Sequence, residues 1–348
     1  MEFQLRQGGR AASDFLSDLA FMSAPLKEQV NADLVARGLD AASMPDDLDE
    51  RLRVVDAALV DSPAAKAVAL IGEWSGSNHG RIAQAAFEEI RAEIEPKLKA
   101  LQNGPTTLKA YPERPIPEYF RNQGWIHRTT GGWDGHDYQG FVHGELVHRT
   151  YVARNYGGRI YEVRRGILKE LRNRDPKRIF EIGSSSGNFT LQIQKEFPNA
   201  QIVGCDISLR MLEQGQRIGN ENGCSWELHQ LPGEDTGFES GSFDLVTSFI
   251  VIHEVPAAIT VRHIQEAFRL LRPGGELLLS DAPRYAALDK AAVRWADYVG
   301  IHGGEPFWRD AAMLDLGAAA RAAGFVDVRS QGQGEGVYPW YVYGKKPS

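Results

Sequence analysis

Arg178-Ile179-Phe180-Glu181-Ile182-Gly183-Ser184-Ser185-Ser186-Gly187 decides how this chain is read, together with Ile202-Val203-Gly204-Cys205-Asp206. A short apolar run ends in an acid and a glycine-rich turn. Phe189, Ile193 and Phe197 then recur at helical spacing, which predicts strand, turn and helix. A second apolar run ends in Asp206. This is the plan of a nucleotide-binding βαβ unit, in which glycines admit a ligand close to the backbone and a later acid takes ribose hydroxyls. The dinucleotide fingerprint G-x-G-x-x-G fails, because Ser185 and Asn188 stand at its second and third glycines. Glu181 would also repel a pyrophosphate, whereas it suits a ligand that carries an amino group.

Outward from this stretch the same alternation continues. Strands are predicted at 177–182, 200–206, 225–230, 243–249, 275–280, 325–330 and 337–343. Helices are predicted at 159–172, 187–197, 208–221, 257–271 and 310–323, with an aromatic-rich insertion at 284–309. Strands that alternate with helices imply a parallel sheet covered on both faces. The last two strands lack an intervening helix, so they are expected to pair antiparallel.

The turn resembles motif I of the class I S-adenosylmethionine-dependent methyltransferases, E/D-x-G-x-G-x-G, carried here by Glu181, Gly183, Ser185 and Gly187. Serine for the middle glycine is the departure, and it asks the turn for a φ that serine tolerates. Asp206-Ile207-Ser208 with Met211 resembles the family's ribose acid and its adenine-flanking apolar residues. Gly233-Glu234-Asp235 resembles the adenine-reading segment, although Pro232 replaces the usual aspartate before it. Leu271-Arg272-Pro273-Gly274-Gly275 resembles the turn into the next strand. The ubiquinone-type small-molecule branch is the nearest resemblance. It implies an α/β fold, a Rossmann-like sheet that is parallel with an antiparallel last strand, here joined to an N-terminal α-helical domain. It also implies S-adenosyl-L-methionine as cofactor, held by Glu181, Gly183, Ser184, Ser185, Gly187, Asp206, Ile207, Met211, Gly233, Glu234, Asp235 and Phe249.

Methyl transfer needs an aligned acceptor and a destination for its proton. Phe249, Ile250, His253 and Glu254 follow the strand that faces the methyl group in such a fold. His253 is the candidate base, since imidazole titrates near neutrality; a loop-structuring role is its alternative. The same letters Gly183-Ser184-Ser185-Ser186-Gly187 also spell G-x-S-x-G, the nucleophile elbow of α/β-hydrolases, for which Asp281 and His302 could complete a triad. The elbow expects several strands upstream, and the upstream chain reads as helices and loops. A cofactor-binding partner without catalysis is the remaining alternative.

Three segments are expected: a helical domain at 1–104, a Pro-rich connector with an aromatic and histidine-rich lid at 105–158, and the sheet domain at 159–348. In the first, Pro25 is expected to split one apolar stripe into two helices, and separate helices are expected at 48–59, from Pro63 through Ile71, and from Ile82 to Leu101. Between Tyr119 and Tyr161 lie nine aromatics and four of the nine histidines. Residues 111–175 carry eleven Lys/Arg against eight Asp/Glu, a local excess of +3 in a chain of formal charge −7. Trp125, Trp133, His136, Tyr138 and His143 are the candidate acceptor-binding residues, with Trp295, Tyr298 and Trp308 closing the pocket from the insertion. The acceptor implied is a small, partly apolar molecule with an anionic group, and O-methylation is the first guess. No metal is expected, because His143 and His148 miss the i, i+4 spacing of two ligands on one helical face.

The 348 residues suffice for a sizeable core, and 43% hydrophobic with 24% charged residues is ordinary globular composition. The charge of −7 and the lack of an Asn/Asp-Pro-Pro-Tyr motif argue against a nucleic-acid partner. No apolar leader opens the sequence at Met1–Arg6, and no run approaches the ~20 residues of a membrane span. Cys205 and Cys224 are the only cysteines, which fits a reduced, cytoplasmic setting. A homodimer through the helical domain is the expected assembly.

Overall fold

The computed structural model describes residues 2–122, 126–129, 131–152 and 158–348. One eight-stranded sheet organises the second half: β1 (Thr107–Lys109), β2 (Arg178–Ile182), β3 (Gln201–Asp206), β4 (Glu227–Gln230), β5 (Phe243–Phe249), β6 (Leu271–Asp281), β7 (Val326–Gly332) and β8 (Trp340–Lys345). Their spatial order is β1-β4-β3-β2-β5-β6-β8-β7. All pairings are parallel except those of β8, which runs antiparallel to both β6 and β7. The order reverses beside β2, where β3 lies on one side and β5 on the other. That reversal opens a crevice above the carboxyl ends of the strands.

Strand period explains why both faces are covered. Phe180 and Ile182 project to one side, against Ile264, Ala267, Leu316 and Ala320. Ile179 projects to the other, against Phe189, Ile193, Leu212 and Ile218. Three helices near the sheet, α5 (Asn188–Glu196), α6 (Leu209–Glu221) and α7 (Ala257–Leu270), supply most of those partners. The edge strand β1 was not foreseen, because it lies within the Pro-rich connector. It is recruited by long-range bonds: Thr107 N donates to Trp226 O at 2.9 Å and Thr106 Oγ1 to Cys224 O at 2.7 Å.

Upstream lie α1 (Gln7–Ala36), α2 (Leu48–Leu59) and α3 (Pro63–Ala100). Two expectations fail here. Pro25 does not split α1. The carbonyl it leaves without a helical donor belongs to Phe21, which is 82% exposed, so water can satisfy it. The helices expected on either side of residues 72–81 are one helix, α3. Gly76 and Gly80 are there for close approach rather than termination: a Cβ on Gly80 would come within 2.7 Å of Thr129 Oγ1, and one on Gly76 within 3.2 Å of the Arg128 side chain.

The lid region is also more regular than a loop. Residues Val142–Val152 form a π-helix. Phe141, Val142, Leu146 and Val147 are buried against Phe87, Ile90 and Ile94 of α3. Burial of each large apolar side chain is worth about 1.5–3 kcal/mol, which fastens the segment to the helical layer. Further on come α4 (Ile160–Gly166), α8 (Lys290–Gly303), α9 (Trp308–Met313) and α10 (Leu316–Ala322). The single helix expected at 310–323 is therefore two, because Leu314 is extended and the Asp315 side chain caps a new start by accepting from Ala318 N at 2.8 Å. Among the described residues no helix is long and apolar enough to cross a membrane.

Candidate functional site

The crevice at the strand reversal is part of a cavity of about 1110 Å³. Its floor is the β2 turn. Gly183 adopts φ +68°, and a Cβ there would sit 2.5 Å from Val251 Cγ2. Ser185 also takes a left-handed φ, +48°, so the turn keeps the glycine geometry without glycine at that position. Gly187 (φ +78°) caps α5 and lets Gly215 approach, where an added Cβ would lie 3.0 Å from the Gly215 Cα. It supports the turn from below and does not line the cavity.

Glu181 and Asp206 both face this space. Glu181 is buried and accepts from Thr190 Oγ1 at 2.6 Å. Burial pushes its carboxyl up to about 8; the Thr190 bond opposes the rise and the Asp206 charge adds to it. Asp206 accepts from Ser185 N and Ser208 N, each at 2.9 Å. Burial lifts it to about 6 against those two bonds. Ser184, Ile207, Met211, Gly233 and Phe249 join the lining. Two residues expected beside them do not. Glu234 accepts from the Tyr119 hydroxyl at 3.0 Å and lies 3.3 Å from His263 Nε2, while Asp235 pairs with Arg114 at 2.7 Å.

The opposite wall comes from elements remote in sequence. Trp133, His143, Trp295 and Tyr298 line it. His136, Tyr138 and Trp308 do not. His136 packs edge-on against Phe87, with Nε2 3.1 Å from Glu88, and Tyr138 stacks on the same Phe87. Both therefore fasten their segment to α3. Trp308 stands behind the cavity, edge-on to His253 at 5.1 Å. Trp125 lies outside the described residues.

Sequence reasoning missed His79, His127, His148, Arg164 and Glu305 as lining residues, along with Val68, Ile71 and Gly76 of α3. His148 had a usable signal. In a π-helix, whose bonds run i to i+5, residues five apart share a face. His143 and His148 accordingly meet, with ring centroids 5.0 Å apart. Burial, reinforced by the positive His127, drives His143 down to about 3; burial and Arg164 drive His148 well below its usual range. Both rings are neutral at physiological pH.

His127 behaves oppositely. Burial would lower it, but the Glu305 and Glu254 carboxylates, 2.8 and 3.0 Å from its Nε2, hold it up at about 10. His253 is likewise held well above its usual range, since Asp281 and Glu254 outweigh burial. Its Nδ1 is 2.6 Å from Asp281 Oδ1, and its Nε2 is 3.4 Å from Glu254 Oε1. Asp281 is thus committed to His253, while His302, its nominal triad partner, lies against Tyr298 with centroids 4.2 Å apart. Ile250, at the end of β5, holds φ +60°, a conformation a β-branched residue adopts only under tertiary constraint.

Residues 179–275 match the family described as "Methyltransferase domain". Among curated proteins, the chain is 33% identical over 132 residues to "Methyltransferase str3" of Strobilurus tenacellus, covering 36% of this chain and 44% of that protein. It is 32% identical over 116 residues to "tRNA N(3)-methylcytidine methyltransferase Mettl2" of Drosophila melanogaster, covering 32% and 36%. It is 26% identical over 106 residues to "Ubiquinone/menaquinone biosynthesis C-methyltransferase UbiE" of Desulfotalea psychrophila, covering 30% and 40%. The chain spans less than half the length of each of these relatives. Their names include a quinone pathway and a tRNA base, so these relatives do not share one acceptor.

Proposed function

We propose, for a chain that through residues 179–275 carries a class I S-adenosylmethionine-dependent methyltransferase domain, that the whole protein methylates a small, partly apolar molecule with an anionic group. The observation that carries this reading is a shared cavity: the β2 turn with Glu181 and Asp206 opens into the same space as Trp133, His143, Tyr298 and Arg164. About 1110 Å³ exceeds the ~300–1,000 Å³ usual for one drug-sized ligand. That volume accommodates the cofactor and a small acceptor side by side. The formal charge of −7 further favours a metabolite over a nucleic acid.

In this reading Asp206 takes the ribose hydroxyls and Glu181 the amino end of S-adenosylmethionine, while Ile207 and Met211 flank the adenine. Glu234 and Asp235 act indirectly, holding Tyr119 and Arg114 of the connector. The acceptor lies between Trp133, His143 and Tyr298, its anionic end toward Arg164. Its lone pair forms the new bond to the methyl carbon as the S–CH3 bond breaks, giving S-adenosylhomocysteine. The acceptor proton, where there is one, leaves to water in the cavity, and His253 is a positioning residue because both its ring nitrogens already face carboxylates. O-methylation remains the first class to try. Phe21, Met22 and Leu70, all exposed on α1 and α3, support a homodimer through the helical segment. The division at 104 and 158 is retained, with β1 as the connector's contribution to the sheet.

Calorimetry with S-adenosylhomocysteine, followed by a methylation screen across phenolic, carboxylic and amine metabolites read by mass spectrometry, tests the proposal. Binding with turnover of an anionic small molecule is expected. Binding without turnover of any class would leave the non-catalytic partner as the better reading.

A further inference from the structure

Among the described residues, four side chains converge from distant parts of the sequence: His127, His253, Glu254 and Glu305, with ligand-type atoms all within 4.8 Å of one another. His127 Nε2 is 2.8 Å from Glu305 Oε1 and 3.0 Å from Glu254 Oε1; His253 Nε2 is 3.4 Å from that same Glu254 oxygen. Donors that share one ion at ~2.0–2.2 Å stand roughly 3–3.5 Å apart. The spacing is that of a ligand set.

Two independent features point the same way. The first is the support of His253: its Nδ1 meets the fully buried Asp281 at 2.6 Å, which turns Nε2 toward the group, where an ion would take the place of its proton. Carboxylate pairing of this kind is how ligating imidazoles are held in one tautomer and orientation. The second is a pair of orphaned atoms. Glu254 Oε2 and Glu305 Oε2 are buried without a hydrogen-bond partner. Buried polar atoms are normally satisfied, and an exception asks for a missing ion or other partner. His127 is also held there under strain, at φ +50°, by its N–H donating to Gly304 O at 3.0 Å. That bond ties it to the end of α8, next to Glu305.

We propose that His127, His253, Glu254 and Glu305 bind a divalent first-row transition-metal cation on the acceptor side of the cavity. Two imidazoles with two carboxylates suit zinc, manganese, iron(II) or cobalt(II), whereas calcium and magnesium sites are built from oxygen alone. All four residues line the cavity that also holds the β2 turn. An ion there can take the acceptor's oxygen, nitrogen or sulfur as a further ligand and make it more acidic. That last role rests on the methyltransferase reading; binding of the ion does not.

The experiment uses the full chain, stripped by chelator and titrated with Co²⁺ while visible d–d absorption is followed. One ion per chain is expected, with the bands of nitrogen and oxygen coordination. Glu305→Gln and His127→Gln should weaken binding by at least ~10–100-fold, and Asp281→Asn, which touches no ion, by about 10–100-fold through the orientation of His253. Circular dichroism checks that each variant is folded. Absence of bands in the wild-type protein, or bands unchanged in a folded Glu305→Gln, overturns the inference and leaves the His127 and His253 imidazoliums to neutralise the two carboxylates. Should the variants not fold, X-ray absorption on the cobalt-loaded wild-type chain decides: a shell with histidine scattering supports the site, and one without it refutes it. Calorimetry with S-adenosylhomocysteine on the stripped protein separates the two readings, because cofactor binding without Co²⁺ binding sinks only the metal site, and the reverse sinks only the methyltransferase.

Discussion

Replacing Asp206 by asparagine should remove a pH-dependent cost to the fold and weaken the function at once, although the amide keeps only one of the two backbone bonds that the carboxylate accepts, from Ser185 N and Ser208 N. In the folded chain Asp206 ionises near 6, against 3.8 for the ordinary side chain. A rise of about two pH units corresponds to about 3 kcal/mol at most. Asp206 is partly open to the cavity, where water screens it. We therefore expect about 1–2 kcal/mol. Because the folded pKa is the higher one, ionisation costs stability at pH 8. The cost fades as pH falls through 6 and vanishes below 3.8, where both states hold the proton. An asparagine side chain does not titrate, so the stability of Asp206→Asn relative to wild type should be highest at pH 8, clearly lower at pH 4.5 and lowest near pH 3, where the ionisation cost is gone. Cofactor binding moves the other way: loss of a charged acceptor for the ribose hydroxyls costs about 1.5–3 kcal/mol, or roughly 10–150-fold in Kd. Denaturant unfolding at three pH values, paired with calorimetry against S-adenosylhomocysteine, reads both. An unchanged Kd, or a stability difference flat with pH, would refute the placement of this carboxylate.

Ser185→Gly removes a left-handed serine and should stabilise by about 1 kcal/mol while keeping cofactor affinity, since the bond from residue 185 N–H to Asp206 survives; loss of binding in a folded variant, or labelling of Ser185 by a serine-directed phosphonate, would favour the hydrolase. Wild-type affinity for the amino-bearing cofactor should rise between pH 6 and 9 as Glu181, held near 8 by burial, loses its proton, and Glu181→Gln should flatten that profile in calorimetry. Trp133→Ala, which opens the wall beside His127 and His143, should raise KM about tenfold with cofactor Kd unchanged. His136→Ala should leave kcat and KM near wild type and lower Tm by a few degrees, because that ring packs on Phe87 outside the cavity. Equal kinetic damage in both variants would mean the lid acts as a unit.

What the sequence determined by itself was local and periodic. The run from Arg178 to Gly187, Asp206 at the end of the next strand, and the regular alternation to Lys345 were enough for the parallel sheet, its antiparallel finish and the cofactor turn. Such features depend on neighbours a few residues apart and on strand and helix periods. Tertiary structure decided the rest. Pro25 and the stretch between Ile71 and Ile82 read as breaks in isolation, yet α1 and α3 run through them, since an exposed carbonyl or a packed neighbour settles the matter. The π-helical turn brought His143 and His148 together at a spacing that an α-helix would separate. His127, Glu254 and Glu305 met only because three chain segments converge on one wall of the cavity, and no interval in the sequence records that meeting.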